Sequence, residues 1–122
     1  MMQPEGGSGE NTERFALSEL RDRVDGDEEL MREVLAVYLE DTPLVLERLS
    51  EALEAGQPEA AAKAAHTLKG SSANVAAERL RSQAYALEQK ARAGDLAEAR
   101  RLFTGLQSEF QALQNMLNQY LA

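Results

Sequence analysis

The sequence contains one histidine, His66, and the residues after it form a pattern that suits nucleophilic chemistry on an anionic group. It lies in the segment AAKAAHTLKGSSANV, residues 61–75, with Lys69 three positions later and Gly70 four positions later. An exposed imidazole is mostly neutral near pH 7, so one ring nitrogen keeps a lone pair that can attack an electrophile. A phosphoryl group on that nitrogen would lie over the next helical turn, where Lys69 can neutralise its charge and Gly70 leaves space.

Helical spacing places His66 and Gly70 on the face opposite the predicted core. At about 100° per residue, Ala61, Ala65 and Leu68 form one apolar stripe, and His66 and Gly70 fall well away from it. Glycine in a helix interior costs roughly 1 kcal/mol relative to alanine. A side chain is therefore missing where it would have been stabilising, which indicates close approach of another molecule to the backbone.

A lone histidine more often has a structural role in the core or on the surface. The helical spacing disfavours burial of His66, and ordinary surface decoration leaves Gly70 unexplained. A metal site is disfavoured, because one histidine has no converging ligands and Lys69 repels cations. Small side chains at Ala62 and Ala73 border the helix face that carries His66 and Gly70.

The charge pattern around His66 differs from that of the whole chain. Residues 59–81 contain four basic and two acidic side chains, whereas the 122-residue chain has a net charge of −8. A locally positive patch suits a phosphate or an acidic protein surface. Scattered solvated charges would produce the same count, so this pattern alone decides nothing.

The first half of the chain predicts two helices. A short amphipathic segment contains Phe15, Leu20 and Val24. The acidic stretch DGDEE, residues 25–29, then starts a helix with Asp25 or Asp27 as its cap. We expect Pro43 to end or kink this helix, and Thr42 to cap a continuation that stops at Gly56. The apolar positions of the two parts are Leu30, Val34, Val37, Tyr38, Leu46, Leu49 and Leu53.

The second half predicts three more helices. The helix that carries His66 opens with Pro58 and runs to about Asn74. The next starts near Ala77 and ends at Gly94, with apolar positions at Leu80, Ala84, Leu87 and Ala91. The last begins with Asp95 and Glu98, a pair spaced like a capping box. It has the strongest periodicity in the chain, at Leu96, Ala99, Phe103, Leu106, Phe110, Leu113, Leu117 and Leu121.

These elements predict an all-α fold, an antiparallel up-down four-helix bundle preceded by a short N-terminal helix. Short connections force sequential helices to lie antiparallel, and the composition is rich in helix formers. We expect residues 13–122 to form this single domain. Residues 1–12, rich in Gly, Ser and Glu, read as a flexible tail or linker.

Composition excludes several classes of function. The net charge of −8 argues against nucleic acid or an anionic membrane as the main partner. The absence of cysteine excludes disulfides and thiolate chemistry and fits a reducing compartment. No secretory signal is visible, and apolar runs such as LAVYL, residues 35–39, are too short to cross a bilayer. We therefore expect a cytoplasmic protein.

The segment AAHTLKGSSANVAAERL, residues 64–80, resembles the signature of histidine-containing phosphotransfer (HPt) domains, in which His-x-x-Lys-Gly-Ser surrounds a phosphorylated histidine. A looser likeness covers residues 13–118 and includes Leu87, Glu88 and the RAGD turn at 92–95. The family often has glycine where this chain has Ala76, which concerns the turn into the next helix and not the site.

The resemblance implies a role for each matching residue. His66 is similar to the phospho-accepting histidine, Lys69 to the lysine that neutralises the phosphoryl group, and Gly70 to the clearance glycine. Ser71 matches a frequent small polar neighbour. We expect a partner to dock on the helix face around His66, at Ala62, Lys63, Ser71 and Ala73.

The resemblance also implies the partners. The family carries a phosphoryl group between receiver-domain aspartates in a multistep phosphorelay that a sensor or hybrid histidine kinase feeds. The chain would be a monomeric carrier without enzymatic activity of its own and without a cofactor, since it has no ATP-binding motif, and Mg²⁺ would be bound by the receiver.

Two other functions remain open from the sequence, and a third is disfavoured. The phosphotransfer module of a chemotaxis-type kinase, phosphorylated by its own kinase domain, is the closest. A non-catalytic helical adaptor would need only the amphipathic last helix, but would not explain Gly70. Dimerisation domains of sensor kinases also carry a helical histidine, but their His-Glu-x-x-Thr-Pro-like context is missing after His66.

Overall fold

The computed structural model describes residues 13–122, which form five helices and no strand. The predicted tail, residues 1–12, lies outside this part of the chain. The helices are α1 (Leu17–Arg23), α2 (Glu28–Glu54), α3 (Pro58–Asn74), α4 (Glu78–Arg92) and α5 (Leu96–Leu121). The all-helical class is confirmed.

Helix starts follow the predicted capping residues closely. The Asp27 carboxylate accepts a hydrogen bond from the backbone N–H of Leu30 at 3.0 Å, and Asp95 accepts one from Glu98 at 3.1 Å. Pro58 occupies the first turn of α3, where a missing N–H has no cost. These contacts satisfy backbone donors that have no partner inside the helix.

Pro43 was predicted to end or kink the second helix; the end is wrong, and so is Thr42 as a cap. α2 continues through Pro43 without a break. Thr42 is buried, and its hydroxyl donates to the Tyr38 carbonyl at 2.7 Å inside the helix. Proline removes one backbone donor and clashes with the preceding turn, at a cost of about 3 kcal/mol. Burial of Tyr38 before the proline and Leu49 after it favours one continuous helix over a break.

The core lies between helices that pack on their sequence neighbours. α3 contacts α2 and α4, α5 contacts α4 and α2, and α1 contacts α2. The predicted apolar positions of α4 are all buried, as are those of α5 except the half-buried terminal pair Leu96 and Leu121. On α2 the prediction of core positions is wrong for Leu30 and Val37, which are 41% and 53% exposed. Met31 and Leu35 are buried in their place.

The turn from α3 into α4 places Ala76 in a backbone conformation that glycine adopts more easily. Its backbone has a φ of 60°, a left-handed conformation that favours glycine. The N–H of Ala77 bonds to the Ser72 carbonyl at 2.9 Å, and that of Ala76 bonds to the Ala73 carbonyl at 3.1 Å, as in a Schellman motif. The Ala76 carbonyl also accepts from the N–H of Ala16 at 3.0 Å. The N-terminal segment therefore holds the turn from which α4 starts.

Candidate functional site

The helix α3 presents His66 on the outside of the fold. The His66 side chain is 62% exposed, whereas Ala65 and Leu68 are fully buried on the other side of the helix. Gly70, one turn further on, is also exposed. The orientation predicted from helical spacing is therefore confirmed.

A buried glutamate on the neighbouring helix orients the imidazole. Glu88 lies on α4, and its Oε2 is 3.0 Å from Nδ1 of His66. A carboxylate can only accept a hydrogen bond, so Nδ1 carries the proton in this contact. In the neutral ring the lone pair is then on Nε2, which is the nitrogen available for nucleophilic attack.

Glu88 stays ionised although its side chain is only 3% exposed. Burial raises the pKa of Glu88, but the contacts of Lys69, Arg92 and His66 with its carboxylate outweigh this effect and lower it to about 2. Lys69 Nζ lies 2.9 Å from Oε1, and Arg92 Nη2 lies 2.7 Å from Oε2. A full negative charge is thus held directly behind the imidazole at neutral pH.

Lys69 contacts two side chains of α4. Its side chain is 26% exposed, and its ammonium group is paired with Glu88. The same ammonium lies 5.1 Å from the centre of the Tyr85 ring, in the geometry of a cation–π contact. The lysine therefore lies between α3 and α4 beside the imidazole, held by two side chains of α4.

Gly70 has no structural explanation within the described chain. A Cβ built on Gly70 would have no neighbouring atom within 4 Å, apart from its own helical backbone and chain neighbours. Its backbone has ordinary helical geometry, so no positive φ requires glycine. Neither the packing nor the backbone geometry of the described chain therefore requires glycine here, and clearance for a partner stays a prediction.

The four residues predicted for partner docking have different positions. Lys63 is exposed and lies one turn before His66, and Ser71 and Ala73 are half-buried. Ala62 is only 3% exposed, but it lines an open cleft beside His66. Partner docking on these four residues stays a prediction.

A cleft of about 750 Å³ opens beside His66, between the first turns of α3 and the end of α4. Its walls include Lys63 and Arg92, both exposed and positively charged, and Glu59. The side of His66 that faces the start of α3 is therefore open and predominantly positive, which suits an anionic group.

Sequence reasoning did not assign a role to Glu88, Arg92 or Tyr85. One signal was present for Glu88: it follows Ala84 by four residues and precedes Ala91 by three, which places a charged side chain on the buried face of α4. A buried charge needs partners, so this position was a candidate for a site. Tyr85 and Arg92 carry no comparable signal.

Two kinds of site are not found among residues 13–122. No group of three or more His, Cys, Asp or Glu side chains could hold a metal ion. None of the described helices is long and apolar enough to cross a membrane.

The chain belongs to the Hpt domain family, whose family model matches residues 33–120. Its structure is similar to that of histidine-containing phosphotransfer protein B (HptB) from Pseudomonas aeruginosa PAO1, with a TM-score of 0.83 and 28% sequence identity. The alignment covers 88% of this chain and 94% of HptB. Comparison with curated protein sequences produced no match.

Proposed function

We propose that the protein is a phosphocarrier of a multistep phosphorelay, which accepts a phosphoryl group on His66 from a receiver-domain aspartate and passes it to another receiver. The observation that carries this proposal is the hydrogen bond between Nδ1 of His66 and the buried Glu88, with the ring itself largely exposed. Membership of the Hpt family and the similarity to a histidine phosphotransfer protein support it.

The geometry suggests how the chain takes part in transfer. Nε2 of His66 attacks phosphorus, the new P–N bond forms, and the bond between phosphorus and the aspartyl oxygen breaks, with its electron pair remaining on the aspartate. The imidazole ring then carries a positive charge, because Nδ1 keeps its proton. Glu88 stabilises that charge at 3.0 Å, and the effect grows as charge develops in the transition state.

The surrounding cations suit the phosphoryl group. Lys69 and Arg92 both contact Glu88 and lie next to the imidazole, so either can turn toward phosphoryl oxygens while the other continues to neutralise the carboxylate. Gly70 leaves the surface beside His66 low, which allows a receiver to bring its aspartate close. Transfer of this kind depends on positioning and charge neutralisation.

The remaining features of the proposal follow from the same role. The scaffold is an antiparallel up-down four-helix bundle formed by α2 to α5, and a monomer suffices for function. The partners are receiver domains, with Mg²⁺ bound on the receiver, and a sensor or hybrid histidine kinase upstream. The domain acts as a cytoplasmic carrier and uses no ATP, metal or cofactor of its own.

A transfer assay with a panel of phosphorylated receiver domains tests the proposal. We expect at least one receiver to label the full chain, and the label to be stable in alkali and labile in acid, as phosphohistidine is. His66→Gln should accept no label while keeping its helical circular dichroism spectrum. Label on His66→Gln, or the absence of label from every receiver, would contradict the proposal.

A further inference from the structure

We propose that Tyr85 is a positioning residue for Lys69: the face of its ring holds the lysine ammonium next to the phospho-accepting site. This inference rests on the proposed function and adds a residue to it. The sequence had singled out Lys69 but not the aromatic residue beneath it.

The contact is specific in its geometry. Lys69 Nζ lies 5.1 Å from the centre of the Tyr85 ring and 2.9 Å from Oε1 of Glu88. Tyr85 and Glu88 are three residues apart on α4, so their side chains emerge from the same side of that helix. α4 therefore contacts one ammonium group at two points, with a charge and with the negative face of an aromatic ring.

The position of Tyr85 does not follow from core packing. It is 49% exposed, and it is one of the few large apolar side chains on the surface of the described chain. The buried face of α4 is already formed by Leu80, Ala84, Leu87 and Ala91. An exposed ring that contacts Lys69 is better explained by that lysine than by the core.

The Tyr85 ring positions Lys69 when a phosphoryl group is bound to His66. A phosphoryl group on Nε2 attracts Lys69 away from Glu88, and Arg92 remains to neutralise the carboxylate. A free lysine side chain samples many rotamers in solvent, but one resting on an aromatic face is confined to the space between α3 and α4. Tyr85 thus keeps the ammonium within a short displacement of the phosphoryl oxygens.

The test compares Tyr85→Leu with Tyr85→Phe. Leucine removes the ring and keeps an apolar side chain with good helix propensity, whereas phenylalanine keeps the ring. We expect Tyr85→Leu to accept the phosphoryl group from a receiver about two- to fivefold more slowly, the loss of one exposed cation–π contact. Tyr85→Phe should restore most of the rate. Tyr120→Leu is the matched control, because its ring also lies over a cation, Arg32, and contacts residues outside the site.

A double-mutant cycle separates positioning from any other role. In a Lys69→Ala background Tyr85→Leu should have no further effect on the transfer rate. An equal slowing in both backgrounds, or an unchanged rate for Tyr85→Leu alone, would overturn the inference.

A second readout does not depend on transfer. The ring current of Tyr85 should shift the side-chain NMR resonances of Lys69, and this shift should be lost in Tyr85→Leu and kept in Tyr85→Phe. Resonances that are identical in all three proteins would show that the ring does not hold the ammonium. If the wild-type chain accepted no label from any receiver, the proposed function would fail, whereas this NMR comparison would still decide the contact.

Discussion

Replacement of Gly70 tests whether a missing side chain at this position serves the approach of a partner. The structure provides a matched control, because Gly105 is also an exposed glycine inside a helix. A Cβ at either position would have no neighbour within 4 Å outside its own helix backbone and chain neighbours, and neither glycine has a positive φ. The two substitutions should therefore have the same local effect on their own helices. They differ in position, because Gly70 lies one turn from His66 on α3, whereas Gly105 lies on α5.

The expected change in stability follows from helix propensity alone. Gly→Ala in an exposed helix interior stabilises by up to about 1 kcal/mol, and the open space means that no clash reduces this gain. For a chain of this size the melting temperature should rise by about 4 °C at either Gly70 or Gly105. Thermal unfolding followed by circular dichroism measures this directly.

The expected change in transfer differs between the two sites. At Gly70 the rate of transfer from a phosphorylated receiver should fall from Ala to Gln to Leu, as the side chain grows over the surface beside His66. The same series at Gly105 should leave the rate unchanged. A Gly70→Ala protein that unfolds, yet transfers normally per folded molecule, would show that glycine serves a bend or a helix contact. Equal rates for Gly70→Ala and Gly70→Leu would also refute the clearance argument.

Three further predictions concern a cation, a buried carboxylate and the proline. Lys69→Ala should slow transfer or shorten the phosphohistidine lifetime, and it should also lower the melting temperature, because the buried Glu88 carboxylate loses one of its cationic partners. Unchanged rates in both directions would remove this lysine from the mechanism. The lowered pKa of Glu88 means that its ionised form stabilises the fold above pH about 4.5 and that this contribution is lost as the pH falls toward about 2. The free energy of unfolding of Glu88→Gln should accordingly be lower than that of wild type at pH 7 and approach it near pH 2; a gap independent of pH in urea titrations would contradict this. Pro43→Ala should stabilise α2 by about 1–3 kcal/mol, because it restores a backbone donor to the Leu39 carbonyl in an unbroken helix, and a loss of stability would show that the proline relieves strain there.

Local patterns account well for the helices and for the face that His66 occupies. Caps at Asp27 and Asp95 and the start at Pro58 depend on residues within one turn of each other, so they are visible in sequence. The same holds for the exposed position of His66 and Gly70, since both lie on one helix with a fixed rotation per residue. Recognition of the family used the same short segment.

Errors arose where packing between helices outweighs local preference. Pro43 was expected to end or kink a helix, but α2 does not end there, since side chains on both sides of the proline are buried in the core. Ala62 borders the face of His66 on an isolated helix, but only 3% of its surface is exposed in the packed domain. Leu30 and Val37 looked buried, because apolar spacing does not say which of two adjacent stripes faces the core.

The chemistry around the imidazole combines both sources of information. The sequence by itself was enough to predict the nucleophile, the nearby cation and the clearance, because His66, Lys69 and Gly70 lie within four residues of one another on one helix. Only the tertiary structure decided which ring nitrogen is free and where the cation rests, because both depend on Glu88 and Tyr85 of a different helix. These contacts join residues that are 16 to 22 positions apart in the sequence, so they depend on how α3 and α4 pack together. The periodicity within either helix does not contain that information.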